Sequence, residues 1–371
     1  MPWNIKQQIV DSLNTVTKQQ VRVCSKDFKS IVRNSKVSYK KIVLHFITNR
    51  RAATLLFVTD DDRSFKLEYT YSRMGHWVKN LATESNTFNK NGSFVSAIVN
   101  QSMKVFQASR KASCVEFAVR FENCYVQVDR YNEIKEEVLN RLQAILVSLK
   151  HRISVESFRM AFYGTQEDIM KILPHLEVGT LKHIGFWRIR ANVEDALSDE
   201  IDLSLVTETD QWKHAKKFDL RMHYFTLPLD KWSHFRNITF RLADLELDTV
   251  KTVFQMFSNK PQFEQCGIYI KNLNYRQVLS FFFGFNPRIT QLGRSISLHF
   301  GTPKEPEMFF RILFRKGCFR LSRLRRADDW EIKPDPDSRR YLVEMGYSPD
   351  PIELEPAQVL ANFNAYINPI H

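Results

Sequence analysis

Apolar residues recur along this chain with two alternating periods. Near the N-terminus Ile5, Ile9 and Leu13 stand at i, i+4 and i+8 with Val10 beside them, behind Pro2, whose fixed φ suits a helix start. A short amphipathic helix is expected there. Thr17 can cap a second, with Val21, Cys24, Phe28, Ile31 and Val32 on one side and Lys18, Arg22, Lys26, Lys29 and Arg33 on the other. Two short helices enclose too little interior to fold unaided, so their apolar faces should meet the rest of the chain or a partner. From residue 40 the period becomes two: Ile42, Leu44 and Phe46, then Leu55 and Phe57, then Phe65, Leu67, Tyr69 and Tyr71. These predict antiparallel strands. Helices follow near 94–107 and 131–149, with an alternating strand, Val115 to Phe121, between them.

After residue 150 short strands are expected near 155–162, 182–189, 216–223, 236–242, 266–271 and 295–300. Helical segments at 165–176 and 246–257 lie between them. Strand and helix alternating every twenty to thirty-odd residues resembles a leucine-rich-repeat solenoid, in which each unit completes its neighbour's core. The competing layout is an open α/β sandwich. The expected fold class is mixed α/β, with N-terminal helices, a strand-helix region and an irregular repeat-like α/β solenoid.

Composition narrows the class. With 371 residues and 43% hydrophobic residues the chain can bury a sizeable core, which excludes disorder and collagen. No run approaches the ~20 apolar residues of a membrane helix, and no apolar core of a secretory signal opens the sequence, so a soluble protein of the cytoplasm or nucleus is expected. Cysteines 24, 114, 124, 266 and 318 are odd in number and widely spaced. They read as core thiols, without a disulfide framework or zinc module. Charge is uneven. Residues 1–51 hold eleven Lys/Arg against Asp11 and Asp27, a second cluster comprises Arg311, Arg315, Lys316, Arg320, Arg323, Arg325 and Arg326, and residues 328–371 turn acidic. Basic residues among aromatics also describe a nucleic-acid surface. Because Phe314, Cys318, Leu321 and Leu324 recur there at core-like intervals, an apolar face with solvated Arg between is the preferred reading.

Catalytic patterns are missing from the sequence. The eleven glycines form no phosphate loop, no two His lie one helical turn apart about a Glu, and no Gly-x-Ser-x-Gly elbow occurs. Glu167 and Asp168, or Glu194, Asp195, Asp199 and Glu200, could serve as paired acids. Glu167 and Asp168 also occupy a helix first turn, where the dipole favours them structurally. No catalytic residue, metal or cofactor is assigned, and a non-enzyme is expected.

The N-terminal pattern of Pro2, Ile5, Ile9 and Leu13, followed by Val21-Arg-Val-Cys-Ser-Lys-Asp-Phe28 and Ile31-Val32, resembles an F-box. Ile153-Ser-Val-Glu-Ser-Phe158, Ile169-Met-Lys-Ile-Leu-Pro-His-Leu176 and Val178-Gly-Thr-Leu-Lys-His-Ile184 resemble the FTH domain that accompanies F-boxes in a large nematode family. The likeness continues through Trp212–Phe218, Phe235–Phe240 and Lys260–Phe263. It implies an F-box-like domain over 1–45, a linking region over 46–130, an FTH-like domain over 131–325 and an acidic extension over 326–371. It further implies a substrate adaptor of a cullin-type SCF ubiquitin ligase. Pro2, Ile5, Ile9, Leu13, Val21, Cys24 and Phe28 would dock on a Skp-family adaptor, and the FTH-like region would capture a protein target. The alternatives are a protein-interaction scaffold outside any ligase and nucleic-acid binding through the basic surfaces.

Overall fold

The structure is a computed structural model that describes residues 3–13, 17–18, 26, 30–32, 37–90, 92–108, 112–122, 128–149, 151–187, 201–224, 229–292, 295–302, 305–315, 318–325 and 352–360. The chain divides into two compact units, Met1–His223 and Tyr224–His371.

In the first unit, helix α1 (Trp3–Ser12) precedes strands β1 (Val37–Ile47), β2 (Ala52–Thr59), β3 (Ser64–Ser72), β4 (Gly75–Asn80) and β5 (Ser85–Asn89). Short turns join these five strands, so they pair antiparallel in sequence order. At the first turn Arg51 takes the left-handed conformation, φ 46°, directly after the 3-10 turn Thr48–Arg50. Helix α2 (Phe94–Ala108) then carries the chain to β6 (Ala112–Glu122), which lies parallel to β1. Helix α3 (Val128–Ser148) carries it on to β7 (Ser154–Ala161), and β8 (His183–Trp187) and β9 (Lys217–Tyr224) add on in turn, all parallel. Parallel neighbours need such long crossovers.

One face of these strands is apolar. Ile42, Phe117, Phe158, Ile184 and Phe218 fall in a single register row and are buried. Val95, Ile98, Val99, Met103 and Phe106 of α2 are buried too, as are Tyr131, Val138, Leu139 and Leu142 of α3. Phe106 meets Phe117 edge-on at 6.3 Å, and Tyr131 meets Phe121 in the same way at 6.3 Å, which places both helices on that face. Rings continue along it: Phe117–Phe158 at 6.2 Å, Phe158–Phe186 at 6.5 Å and Phe186–Phe218 at 6.2 Å, within the range of favourable aromatic pairing.

In the second unit, β10 (Asn237–Leu245) and β11 (Gln265–Leu273) pair parallel across helix α4 (Leu247–Ser258). Helix α5 (Tyr275–Phe283) leads to β12 (Arg288–Leu292), β13 (Ser295–Thr302), β14 (Glu305–Arg315) and β15 (Cys318–Arg325), with a short β16 (Ile352–Glu353) beyond. Every pair formed by β12 to β16 is antiparallel, including β15 against β11. Phe254 and Phe282 pack among Phe300, Phe310, Phe314 and Phe319 at ring separations of 5.2–6.5 Å.

Two expectations are corrected. The N-terminal region is mostly strands, β1–β5 over residues 37–90, and not the F-box helical domain that was expected. Of the expected helix pair, α1 is described, while Val21, Cys24 and Phe28 lie outside the described residues. The repeat-like solenoid is likewise replaced by broad mixed sheets in which antiparallel strands join the parallel ones. Strand-helix spacing is common to any series of parallel crossovers and carries no information about the antiparallel strands joined to them. Of the basic cluster, Arg311 and Arg315 lie on β14 and Arg320, Arg323 and Arg325 on β15, while Lys316 and Arg326 lie outside the described residues. There Phe310, Ile312, Phe314, Phe319 and Leu321 are buried, while Arg311, Arg315 and Arg320 occupy alternate positions. Arg315 Nε donates to Ser295 Oγ at 2.6 Å and Arg323 Nη1 to the Lys260 carbonyl at 2.8 Å, so both guanidinium groups have structural partners.

Candidate recognition surface

Period-two alternation places a second set of side chains on the opposite face of the parallel strands. Lys41, Glu116, Ser157, His183 and Lys217 share one register row, and Val43, Ala118, Arg159, Gly185 and Asp219 share another two residues further on. A third row holds His45, Arg120, Ala161 and Trp187. Adjacent strands lie about 4.8 Å apart, so opposite charges in one row, or diagonally across two, meet without distorting the backbone.

Glu116 is bound from both sides. Its Oε1 lies 3.0 Å from Lys41 Nζ and its Oε2 lies 3.2 Å from Arg159 Nη1. With 16% of its side chain exposed, against 33% for Lys41 and 30% for Arg159, the carboxylate is the covered centre and the cations are its accessible rim. The Arg159 guanidinium also lies over the Trp187 ring, 5.1 Å from its centroid. Gly185 makes room for that stack, since a Cβ there would meet Trp187 at 3.4 Å and Arg159 at 3.5 Å. Ser157 Oγ lies 3.1 Å from His183 Nδ1. Burial, assisted by Arg159 and Lys217 against the opposing pull of Asp219 and Glu116, pushes His183 down to about 4. The imidazole is therefore neutral at neutral pH and exchanges a hydrogen bond with the hydroxyl. At the margin of the face His45 Nε2 and Glu122 Oε2 are 2.8 Å apart. The arrangement is a half-exposed mosaic of both charges around an Arg–Trp stack, and Arg and Trp are the side chains that dominate energetic centres of protein interfaces.

The sequence-derived adaptor residues are placed in part. Ile5 and Ile9 lie on α1, 42% and 38% exposed, and Leu13 just beyond it is half-buried. On the other side of α1, Val10 is buried in a cluster with Ile31 and Val32. Pro2, Val21, Cys24 and Phe28 lie outside the described residues. Among the carboxylates weighed as acids, Asp168 is buried against Lys135 at 2.7 Å and accepts from the Thr165 N–H, whereas Glu167 is exposed. Glu194, Asp195, Asp199 and Glu200 are outside the described residues. Cys114 and Cys266 are buried and Cys318 partly so; burial raises all three thiols, Cys114 to about 12, which suits inert core positions. Cys24 and Cys124 are not among the described residues. No group of three or more metal-ligating side chains occurs among the described residues, and no described helix is long and apolar enough to cross a membrane.

Glu116, Ser157, Arg159 and Trp187 did not stand out in the sequence, because each is an ordinary polar or aromatic residue at an alternate strand position. The usable signal was the shared alternation of four strands. It becomes a site only when their register is known.

Residues 136–284, less than half of the chain, match the family model of the FTH domain. That segment contains β7 to β11, and with them Ser157, Arg159, His183 and Trp187. Its Ile-Leu-Pro-His-Leu block is packed into the core: Ile172, Leu173 and Leu176 are buried, and the carbonyls of Pro174 and Leu176 both accept from Gln211 Nε2, at 3.1 and 2.7 Å. The FTH domain is associated with F-box proteins, in keeping with a protein-interaction role. No curated protein and no solved structure matches the chain.

Proposed function

We propose that this chain is a non-enzymatic recognition subunit of a cullin-type SCF ubiquitin ligase, in which the strand face around Arg159 and Trp187 takes a protein target and α1 meets a Skp-family adaptor. The observation that carries the reading is the FTH match over 136–284, coinciding with a half-exposed, mixed-charge face centred on an Arg–Trp stack. Ile5 and Ile9, one helical turn apart and exposed, supply the apolar contact that an adaptor groove would bury. Interfaces of this type draw their energy from a few buried apolar and aromatic anchors, with charges at the rim setting orientation and rate.

Co-purification with a recombinant Skp-family adaptor tests this. The wild-type chain should retain the adaptor, and the Ile5→Asp/Ile9→Asp double variant should lose it. Both side chains are exposed in the free chain, so the fold should be unaffected beyond ~0.5 kcal/mol per site, as circular dichroism and thermal melting would verify. Failure of the wild-type chain to retain the adaptor would overturn the ligase assignment.

A further inference from the structure

The sheet of the first unit ends at β5, which pairs with β4 on one side and, among the described residues, with no strand on the other. An open edge of this kind offers a row of backbone N–H and C=O groups to any strand that reaches it, and folded proteins normally blunt it with a charge, a proline or a bulge. β5 has none of these. Its sequence is Ser85-Asn-Thr-Phe-Asn89, all but Phe88 are exposed, and its register with β4 runs unbroken from Ser85 to Asn89. The edge also carries an apolar group. Phe88 lies opposite Trp77 in the β4–β5 ladder, the two rings pack at 4.8 Å, and Trp77 is 48% exposed. Charges stand only beyond the strand: Glu84 before it, in the left-handed conformation at φ 53°, and Lys90 after it, both exposed.

We infer that β5 is the contact of a two-fold dimer, in which the occupant of the open edge is β5 of a second copy of this chain, antiparallel and centred on Thr87. The flanking charges select this occupant. Glu84 and Lys90 each stand three residues from Thr87, so a two-fold axis through the Thr87 pair sets Glu84 of either copy beside Lys90 of the other. Within the strand Ser85 then faces Asn89, and Asn86 faces Phe88. Parallel pairing in register would instead bring Glu84 to Glu84 and Lys90 to Lys90, and an antiparallel pairing shifted by two residues would separate both ion pairs. Aromatic packing favours the same register. The Phe88 rings of the two copies lie diagonally across the junction, within reach of each other, so Trp77, Phe88 and their two counterparts join in one aromatic row. The two-fold uses both open edges at once, so assembly closes at the dimer and builds no filament. Strands of five residues bury a small interface, below the ~1,000 Å² of a stable complex, so the expected dissociation constant is on the order of 10 µM. Neither α1 nor the Arg159–Trp187 face takes part, and the dimer stands whether or not the chain serves a ligase.

The test is sedimentation equilibrium of the full chain, with no other protein present, from about 1 to about 200 µM. The wild-type chain should show a reversible monomer–dimer equilibrium that weakens as salt is added. Glu84→Lys alone sets like charges at both ends of the junction, and so does Lys90→Glu, so each variant by itself should dimerise roughly ten-fold more weakly. Mixed one-to-one, the two variants should dimerise with each other about as tightly as wild type, because the copy carrying Glu84→Lys offers two cations to the two carboxylates of the copy carrying Lys90→Glu. Both positions are exposed, and a thermal melt of each variant checks that its fold is intact. A wild-type chain that stays monomeric across the range would overturn the inference and leave the edge to an extended segment of another protein. Self-association that ignores both charge reversals, or that the mixture fails to restore, would overturn it too, as would growth beyond a dimer.

Discussion

Lys135 on α3 and Asp168 meet at 2.7 Å with 8% and 6% of their side chains exposed, in a corner where Gly164 passes so close that a Cβ would lie 2.1 Å from Asp168 Oδ2. Removing one partner strands a buried charge, so Asp168→Ala should destabilise the first unit by about 3 kcal/mol, read as a lowered denaturant midpoint at unchanged m-value. Replacing both residues, Lys135→Met with Asp168→Leu, should recover part of that loss. Position 168 was legible as a helix first turn; its partner, 33 residues earlier, was not, because nothing in the sequence ties α3 to that corner. Two imidazoles, His299 buried and His183 partly so, give a pH signature. His183 and His299 are both pushed down to about 4, chiefly by burial and then by neighbouring arginines, Arg159 for the first and Arg311 for the second. In the unfolded chain they titrate near ~6.5, so the unfolded state binds more protons between these values. Stability should therefore be fully present above pH ~6.5 and fall as pH drops towards 4, and His299→Gln should flatten the decline in melting temperature across that window.

At the scale of elements, hydrophobic periodicity was the informative signal. The period-two runs at 42–46, 65–71 and 115–121 fall in β1, β3 and β6, and the 3.6-period runs expected at 94–107, 131–149 and 246–257 correspond to α2, α3 and α4 within three residues. The helix expected over 165–176 is broken into Gln166–Met170 and the 3-10 turn Leu173–His175, because Pro174 cannot continue an α-helix. Strands β4 and β5 went unseen, since Gly75–Asn80 and Ser85–Asn89 are largely polar and exposed and alternate weakly. The β14–β15 hairpin was obscured differently: an apolar face repeating every two residues, with Arg between, also offers three- and four-residue intervals that mimic a helix. The aromatic row under the helices should hold the parallel strands together. Phe158 touches Phe117 and Phe186, so Phe158→Ala should cost about 4 kcal/mol through lost burial and the cavity left behind, measurable by chemical denaturation.

Across the whole molecule, both units place helices or rings on an apolar sheet face, and the first leaves its other face to polar rows that only the register assembles. That is why the fold elements could be read from the chain in good part while the recognition surface could not: Glu116, Arg159 and Trp187 come from three different strands and become neighbours only through β6, β7 and β8. The same reasoning explains the failed expectation at the N-terminus. A helical spacing of Ile5, Ile9 and Leu13 describes α1 correctly, but the helical domain expected over 1–45 gives way to strand β1 at Val37. The proposed attachment of this chain to a ligase runs through α1. Its most direct test is the dissociation constant for a purified Skp-family adaptor, measured by calorimetry on the wild-type chain and on Ile5→Asp/Ile9→Asp. The expected result is a one-to-one complex tighter than ~1 µM that weakens by at least about a hundred-fold in the variant. An affinity that is the same in both proteins, or no heat of binding with the folded wild-type chain, would contradict it.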